Sequence, residues 1–348
     1  MRVVTIEDSE LLQLAKEASL KGRAIPFEYG EDRLLIKTCH PDFLEREISG
    51  YKSCSEFYPV PEMKGFFADE ANGYLVYKYE DSVGENTGLL VDLFSGNLSP
   101  SERDFEKIIA MYESGFQRSL ARNRGKAADI FFKERIKTRL DVFYDADFLD
   151  RSFSFVLNGR RVSVPLRKRV DEIRHFFRND QETWCVISQC DPNDLNIGTR
   201  PILFDFTAGG YVPLWAEFAT LFWYQLAQGS HLSLKYNANA FRGHERIFDT
   251  ADSVLLEKDS LVHIPARSRL EFVKAYIENV ILPLWNRTRD DLWYEQFKHY
   301  AAMKILCVFD VTKMEQADQL LSLGYLEAIF NLTPTHPRDL INLFTHER

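Results

Sequence analysis

The sequence lacks several features that mark particular classes of protein. Only five of its 348 residues are cysteines, an odd number with no Cys-x-x-Cys pair, so neither a disulfide framework nor a zinc site is indicated. No apolar run approaches the roughly 20 residues that span a membrane, and acidic residues near Met1 stand where a signal peptide needs an apolar core. We therefore expect a cytoplasmic protein with no membrane partner.

An excess of positive charge is also absent. The 43 lysine and arginine residues are outnumbered by 52 aspartate and glutamate residues, and the formal net charge is -9. Proteins that bind nucleic acid usually carry a basic surface, so nucleic acid is not an expected partner. The eight histidines show no His-x-x-x-His spacing, and no Gly-x-Ser-x-Gly motif occurs. The sequence therefore does not indicate a zinc hydrolase or a serine hydrolase.

Large apolar side chains are plentiful. Hydrophobic residues make up 45% of the chain and aromatic residues 14%, which predicts a folded protein with many large side chains to bury. The length suits one large domain or two modest ones.

The first third of the chain has a mixed α/β pattern. Helices are predicted over residues 6–20 and 41–55, and strands over residues 23–29, 33–38 and 74–79. A polar stretch from Glu80 to Gly88 follows, and we expect it to be the hinge between two lobes, residues 1–80 and residues 81–348.

Helical patterns dominate beyond that stretch. Ser99-Pro100 has the signature of a helix start, and further helices are predicted over residues 130–144 and 166–178. Asn158-Gly159 between two short alternating runs predicts a β-hairpin over residues 153–164.

The residues best suited to chemistry lie between positions 184 and 210. Two apolar strands are predicted there with a polar loop between them, so Asp191, Asn196 and Asp205 lie in the loop or at a strand end. Phosphoryl transfer from ATP needs oxygen ligands for Mg²⁺ and an acceptor for the proton of the attacking hydroxyl, which two carboxylates and an amide can supply. The alternative is an Asx-rich turn over residues 191–196, with Asp205 capping a strand.

This segment resembles a known family. Asp191-Pro-Asn-Asp-Leu-Asn196 looks like the Asp-x-x-x-x-Asn catalytic loop of aminoglycoside phosphotransferases and choline kinases, and Phe204-Asp205-Phe206 is similar to their metal-binding segment. Ala208-Gly-Gly-Tyr211 and Glu217-Phe-Ala219 resemble the motifs that follow in that family. The resemblance implies that Asp191 is the catalytic residue and that Asn196 and Asp205 bind Mg²⁺.

Residues upstream agree with the same resemblance. Leu34-Leu-Ile-Lys37 is similar to the strand whose lysine contacts the ATP phosphates, and Arg46-Glu47-Ile48 is similar to the start of the helix that carries the partner of that lysine. Tyr79 would end the strand that enters the adenine-binding hinge. The implied fold is α+β and protein-kinase-like, with a small mixed N-terminal lobe around an antiparallel sheet and a larger, mainly helical C-terminal lobe.

Three features depart from the family pattern. Gln189 stands where the catalytic loop of the family has histidine, and Thr207 stands where choline kinases have glutamate. No glycine-rich loop precedes Lys37, since Gly22 and Gly30 are isolated, and a backbone cradle for phosphates is therefore not evident.

The leading hypothesis is an ATP- and Mg²⁺-dependent kinase for a hydroxyl of a small molecule such as an amino-sugar or amino-alcohol. The alternatives are a catalytically degenerate kinase-like binding protein and a nucleotidyl (AMP) transferase. The aromatic-rich segments at residues 215–224 and 285–294, with Asp290, Asp291 and Glu295, fall where the family builds its acceptor pocket. Aromatic residues at helical spacing are more often core residues, and the oligomeric state is not indicated.

Overall fold

Strands and helices alternate in the first part of the molecule, and helices dominate the rest. The structure is a computed structural model that describes residue 6 and residues 8–21, 24–79, 88–96, 102–123, 132–179 and 182–344. The strands are β1 (Ala24–Tyr29), β2 (Asp32–Cys39), β3 (Met63–Ala68), β4 (Gly73–Lys78), β5 (Ala121–Asn123), β6 (Phe153–Leu157), β7 (Arg160–Val164), β8 (Thr183–Ser188), β9 (Ile197–Gly198), β10 (Ile202–Leu203), β11 (Gly210–Pro213), β12 (Ser253–Glu257) and β13 (Ser260–Ile264).

The helices are named here by their residues. The α-helical segments are Ser9–Ser19, Pro41–Ser55, Leu90–Phe94, Glu102–Ser119, Asp141–Phe143, Ala146–Leu149, Leu166–Arg178, Leu214–Trp223, Ser233–Tyr236, Arg267–Tyr276, Leu282–Thr288, Trp293–Cys307 and Gln316–Asn331. Turns of π-helix occur at Ile136–Leu140, Tyr224–Leu232 and Ile277–Ile281, and 3₁₀ turns at Ala238–Phe241, Glu245–Thr250, Val311–Lys313 and Pro337–Leu343. Among the described residues, no helix combines the length and apolar character needed to cross a lipid bilayer.

The N-terminal part is an antiparallel sheet in the order β1-β2-β4-β3, with a helix against each face. The Ser9–Ser19 helix starts at Asp8, whose carboxylate accepts hydrogen bonds from two backbone amides of the first turn. Its Leu11 and Ala15 pack on Leu34 and Ile36 of β2. The Pro41–Ser55 helix covers the opposite face, and the central strand β4 is buried on both sides.

The C-terminal part is built around one fully buried helix. Every residue of Leu214–Trp223 is buried, and this helix packs against Trp293–Cys307, with the rings of Phe218 and Phe297 5.4 Å apart. A helix that is buried on all sides lies at the centre of a domain. Smaller sheets surround this pair, in the orders β11-β8-β5, β10-β9 and β12-β13-β6-β7.

Most of the predicted elements are present. The helices over residues 41–55 and 166–178 are confirmed to the residue, and the predicted hairpin turns at Asn158 and Gly159, which have φ angles of 50° and 83°. The first helix is shorter than predicted, and the second of the two apolar strands predicted between positions 184 and 210 is reduced to β10. Most of the predicted hinge and the helix start at Ser99 lie outside the described residues.

The prediction missed β3. Its sequence, Met-Lys-Gly-Phe-Phe-Ala, contains two adjacent phenylalanines and a glycine at a register shift, so it lacks a polar and apolar alternation. Phe67 packs under the Ser9–Ser19 helix and Phe66 packs against the main core, because helices cover both faces of the sheet. Apolar residues on both faces leave the sequence of β3 without the alternation that marks a half-exposed strand.

Candidate functional site

The alternation of side chains along β2 brings Lys37 to the candidate site. Leu34 and Ile36 are buried under the Ser9–Ser19 helix, so Lys37, one residue further, points to the opposite face of the sheet. On that face the Pro41–Ser55 helix presents a buried stripe that includes Leu44, Glu47 and Ile48. Lys37 therefore meets the one carboxylate in this stripe.

Three predicted residues meet around the Lys37 ammonium. Its Nζ lies 2.6 Å from Oε1 of Glu47 and 2.9 Å from Oδ1 of Asp205. Glu47 is fully buried, whereas 42% of the Asp205 side chain is exposed and can reach a ligand. We call Lys37, Glu47, Asp205 and Thr207 the Lys37 cluster.

The charges of this cluster are stabilised by their mutual contact. Burial by itself would lower the pKa of Lys37, but the carboxylates of Glu47 and Asp205 outweigh it, so the pKa of Lys37 is raised. Loss of water would raise the pKa of Asp205, but the lysine and the Thr207 hydroxyl outweigh that effect and lower the pKa of Asp205. Lys37 and Asp205 are therefore both charged at neutral pH.

Thr207 and the backbone complete the hydrogen bonds of Glu47. The Thr207 hydroxyl lies 2.5 Å from Oε2 of Glu47 and 3.1 Å from Oδ1 of Asp205. The backbone amide of Phe206 donates to Oε1 of Glu47 at 3.1 Å. The threonine that departs from the family pattern is thus part of the cluster, where its small hydroxyl fits between two carboxylates.

Gly50 permits the close approach of the Asp205 segment, and the sequence prediction missed it. A Cβ at residue 50 would overlap the carbonyl oxygen of Phe206 and would touch Gly209. A glycine inside a helical pattern costs about 1 kcal/mol relative to alanine, so its presence signals a contact that needs the space. Asp205 itself has a φ of 60°, in the left-handed region that aspartate tolerates better than most residues.

The loop after β8 positions Asp191. Its Oδ2 accepts a hydrogen bond from Nδ2 of Asn193 at 3.0 Å, and 43% of the side chain is exposed. Asn196 Nδ2 donates to the carbonyl oxygen of Asp191 at 3.2 Å, and the amide of Phe204 donates to the carbonyl oxygen of Asn196 at 3.0 Å. These hydrogen bonds link Asp191 and Asn196 to the residue before Asp205, so the structure brings the three together.

The loop after β8 is anchored to the core by an ion pair between Asp194 and Arg269, which the sequence did not indicate. Asp194 is buried, and its two oxygens lie 2.5 Å from Arg269 Nη2 and 2.5 Å from the Tyr224 hydroxyl. Arg269 also donates to Gln225 at 2.6 Å. A buried pair whose hydrogen bonds are satisfied fixes the backbone from which Asp191 and Asn196 project.

A lysine from the C-terminal region reaches Asp191, and this residue was also missed. Lys304 lies in the Trp293–Cys307 helix, is only 4% exposed, and places Nζ 3.5 Å from Oδ1 of Asp191. Burial lowers its pKa, and the charge of Asp191 opposes that effect only in part. The signal in the sequence is a single lysine inside the apolar run from Ala301 to Val308.

Two polar groups beside the loop have unsatisfied atoms. Gln189 is fully buried; its Nε2 lies 3.5 Å from the Tyr112 hydroxyl, and its Oε1 has no hydrogen-bond partner among the described residues. Glu217 is also fully buried, and neither of its oxygens has a hydrogen bond of good geometry within the described part of the chain. Burial raises the pKa of Glu217 to about 8, against a smaller lowering by the Ser188 side chain. Glu217 is therefore mainly protonated at neutral pH.

Tyr79, the third residue predicted to contact the nucleotide, does not belong to the Lys37 cluster. It follows β4, and its ring lies 4.1 Å from the guanidinium carbon of Arg33. Arg33 precedes Lys37 by four residues of β2, a separation of about 13 Å. The role of Tyr79 stays a prediction.

The turn between β1 and β2 is short. Only Gly30 and Glu31 connect the two strands, and Gly30 has a φ of 60°. The tight turn agrees with the absence of a glycine-rich motif in the sequence.

The segments considered for an acceptor pocket lie mainly in the core. Trp215 is fully buried and donates through Nε1 to Asp290 at 2.9 Å, and Gln296 also donates to Asp290, at 3.0 Å. Glu295 pairs with Lys298 on its own helix at 2.5 Å. Of the two interpretations of these aromatic residues, packing accounts for the contacts seen.

Asp205 and Asn196 are the residues predicted to bind Mg²⁺, and their chemistry can be compared with what this ion requires. Within the described residues, no three His, Cys, Asp or Glu side chains converge in the manner of an all-protein metal site. Mg²⁺ is usually bound through one or two carboxylates together with phosphate oxygens and water. Asp205 and Asn196 provide one carboxylate and one amide oxygen, a set that fits Mg²⁺ carried by a nucleotide.

Comparison with known proteins gives matches in structure alone. No family model matches the sequence, and no curated protein matches it. The fold matches a thermostable mutant of the aminoglycoside phosphotransferase APH(4)-Ia in ternary complex with AMP-PNP and hygromycin B, with a TM-score of 0.50, 10% sequence identity and 88% of each chain covered. The chain therefore has the two-lobed, protein-kinase-like fold of aminoglycoside phosphotransferases.

Two further matches have lower TM-scores. The spectinomycin phosphotransferase APH(9)-Ia in complex with ADP and spectinomycin matches with a TM-score of 0.37 and 11% identity, over 92% of this chain and 88% of that chain. APH(3'')-Id from Streptomyces rimosus in complex with ADP and streptomycin matches with a TM-score of 0.35 and 12% identity, over 79% of this chain and 98% of that chain.

Proposed function

We propose that this protein is an ATP- and Mg²⁺-dependent phosphotransferase that phosphorylates a hydroxyl group of a small molecule. The observation that carries the proposal is the contact of Lys37 with Glu47 and Asp205 at hydrogen-bond distance. Asn196 is hydrogen-bonded to the backbone of Asp191 and to that of Phe204, the neighbour of Asp205, and so links the two parts of the site. The structure of a protein with this fold in complex with AMP-PNP gives further support for a nucleotide.

In the proposed reaction, Asp191 is the general base. Its carboxylate accepts the proton of the acceptor hydroxyl, whose oxygen attacks the terminal phosphorus of ATP. The bond from that phosphorus to the bridging oxygen breaks, and ADP leaves with the electron pair. Asn193 holds one carboxylate oxygen of Asp191 in place for this step.

Lys37 would bind the phosphates of the nucleotide, because it is a charged donor held rigidly by Glu47. Asp205 and Asn196 would hold Mg²⁺, which when bound neutralises charge that develops on the phosphate oxygens. Glu47 is buried behind Lys37 and has a positioning role. We expect residues 1–80 to form the nucleotide-binding lobe, with Tyr79 beside the adenine, and residues 81–348 to carry the catalytic loop and the acceptor.

A calorimetric titration tests nucleotide binding. Purified protein should bind ATP in the presence of Mg²⁺ and bind it more weakly when Mg²⁺ is chelated. The proposal would be abandoned if no Mg²⁺-dependent binding were seen.

Turnover tests the chemistry. ATP consumption is measured against a panel of amino-sugars, amino-alcohols and other polyols, and the product is identified by mass spectrometry. Asp191→Ala should lower turnover by roughly 10²- to 10⁴-fold, since a positioned general base contributes that factor. Asp147→Ala, which removes an exposed carboxylate, should leave turnover unchanged. Transfer of AMP in place of a phosphoryl group would identify a nucleotidyl transferase.

The second candidate function is a kinase-like protein that binds a nucleotide or partner without transferring phosphate. The observation in its favour is the short turn at Gly30 and Glu31, which offers no extended backbone loop to cover phosphates. Nucleotide binding that Asp191→Ala leaves unchanged, with no turnover of any acceptor, would favour this function.

A further inference from the structure

Lys304 is a buried side chain near the candidate site whose hydrogen bonds are incomplete. It is carried by the Trp293–Cys307 helix, and it is the cation that contacts Asp191 among the described residues. Its surroundings exclude water almost completely. A buried ammonium group is costly unless it has close acceptors for its protons.

The hydrogen bonds of Lys304 fall short of that requirement. An ammonium group has three donors, and the single acceptor within the described chain is Oδ1 of Asp191 at 3.5 Å, longer than a normal hydrogen bond. Glu217 is the other acidic group nearby, but no ion pair joins it to Lys304, and it is mainly protonated at neutral pH. At least two donors of Lys304 therefore lack a partner among the described residues.

A second basic residue lies near Lys304. Arg135 lowers the pKa of Lys304 by electrostatic repulsion, and burial lowers the pKa of Arg135 itself to about 10. An anion bound beside Lys304 would favour the charged form of its ammonium group.

We propose that Lys304 binds the terminal phosphoryl group of the nucleotide, an inference that rests on the proposed phosphotransferase function. A base that takes the proton of the attacking hydroxyl lies next to the phosphorus that is attacked, because the reacting atoms must be about 3–3.5 Å apart. A cation in contact with Asp191 is therefore placed beside the group in transfer. Lys37 and Lys304 then hold the triphosphate from opposite ends of the site.

The experiment compares two nucleotides that differ in the terminal phosphoryl group. Binding of AMP-PNP and of ADP, each with Mg²⁺, is measured by calorimetry for the wild-type protein and for Lys304→Met. The variant should bind AMP-PNP about tenfold more weakly than the wild type, because it loses a charged hydrogen bond, and should bind ADP as the wild type does. Methionine fills the same apolar space, so the variant should fold, and thermal unfolding checks this.

Two further variants give the controls. Lys298→Met removes a lysine of the same helix that is paired with Glu295, and it should change neither affinity. Lys304→Arg keeps the charge and should retain most of the AMP-PNP affinity. Lys304→Met binding AMP-PNP as well as the wild type, or losing ADP and AMP-PNP equally, would overturn the assignment. Absence of binding in the wild type would instead refute the phosphotransferase function itself.

Discussion

The two ends of the candidate site are held in opposite ways. In the Lys37 cluster each charged group has a partner at hydrogen-bond distance, with contacts of 2.6 Å to Glu47 and 2.9 Å to Asp205. At the other end, the cation nearest to Asp191 lies 3.5 Å away, and Glu217 has no satisfactory partner among the described residues. The charges of the Lys37 cluster are paired within the protein, whereas the second end contains buried polar groups that are not fully paired.

We therefore expect the Lys37 cluster to contribute to the stability of the fold and the incompletely paired groups around Asp191 to reduce it. Paired and hydrogen-bonded charges support the fold when they are satisfied, whereas a buried group without a partner costs free energy. Functional sites commonly contain such costs. Four predictions, from the largest expected effect to the smallest, test the comparison.

Replacement of Glu217 should change how stability depends on pH. Its carboxyl has an ordinary pKa of 4.5 in the unfolded chain and a pKa of about 8 when folded, so the folded state binds more protons between these values. The favourable contribution of the protonated form is complete below pH 4.5 and is lost as pH rises to 8, by up to about 1.4 kcal/mol per pH unit.

Glu217→Gln removes this dependence and should be more stable than the wild type at pH 8 by a few kcal/mol. Urea unfolding at pH 5 and pH 8 measures the difference. Glu271→Gln, a change at an exposed glutamate, serves as the control. If the unfolding free energies of the wild type and Glu217→Gln changed equally between the two pH values, Glu217 would ionise normally. The contrast between the two ends of the site would then be wrong.

Replacement of Lys37 should destabilise the protein far more than replacement of Lys304. Lys37→Met leaves Glu47 buried without its cation, which should cost about 3 kcal/mol in the free energy of unfolding. Lys304→Met leaves Asp191 partly exposed to water and should cost less than about 1 kcal/mol. Denaturant unfolding of both variants under the same conditions gives the ranking.

A double variant shows whether the Lys37 effect arises from the unpaired carboxylate. Adding Glu47→Gln to Lys37→Met removes the uncompensated charge, so the two effects should be less than additive. Equal destabilisation by the two single lysine variants would contradict the distinction between the two ends.

Loss of the Thr207 hydroxyl should have a moderate effect. Thr207→Val keeps the shape of the side chain and removes a hydrogen bond to a buried carboxylate, which should cost about 2 kcal/mol in unfolding free energy. Thr138→Val, at an exposed hydroxyl that bonds to a backbone carbonyl, should stay within about 0.5 kcal/mol of the wild type. Similar values for the two variants would mean that the Lys37 cluster is not tightly hydrogen-bonded.

The smallest effect is expected at Arg46. It makes two hydrogen bonds to Glu134, at 2.6 and 3.0 Å, but both side chains are well exposed. Arg46→Ala should lower the unfolding free energy by less than about 1 kcal/mol, and the loss should shrink as salt is added. A larger, salt-independent loss would show that exposed pairs matter as much here as the buried Lys37 cluster.

Local patterns in the sequence were sufficient for much of the fold. Period-3.6 spacing marked the Pro41–Ser55 and Leu166–Arg178 helices, and Asn158-Gly159 marked the hairpin turn. These signals are local because capping, turn geometry and amphipathic spacing depend on neighbouring residues. β3 escaped prediction because its adjacent Phe66 and Phe67 pack on opposite faces of the sheet, where only the tertiary structure places apolar partners.

The residues of the candidate site also differ in whether local sequence patterns could predict them. Asp191, Asn196 and Asp205 could be proposed because they stand at the ends of short apolar runs and resemble a known motif in order and spacing. Lys304 could not, because it is 113 positions from Asp191 and no local pattern relates the two. The role proposed for Lys304 depends on a contact between two elements that are distant in sequence.

Residue order and type were enough to identify the acidic and amide candidates for the site, the lysine of β2 and the absence of a glycine-rich turn. Which charges are paired and which remain unsatisfied follows from packing, as Glu217 and Lys304 show. The reason is physical. Residue type fixes what a side chain can donate or accept, but burial and distance to a partner fix its charge and its free energy, and both arise from packing.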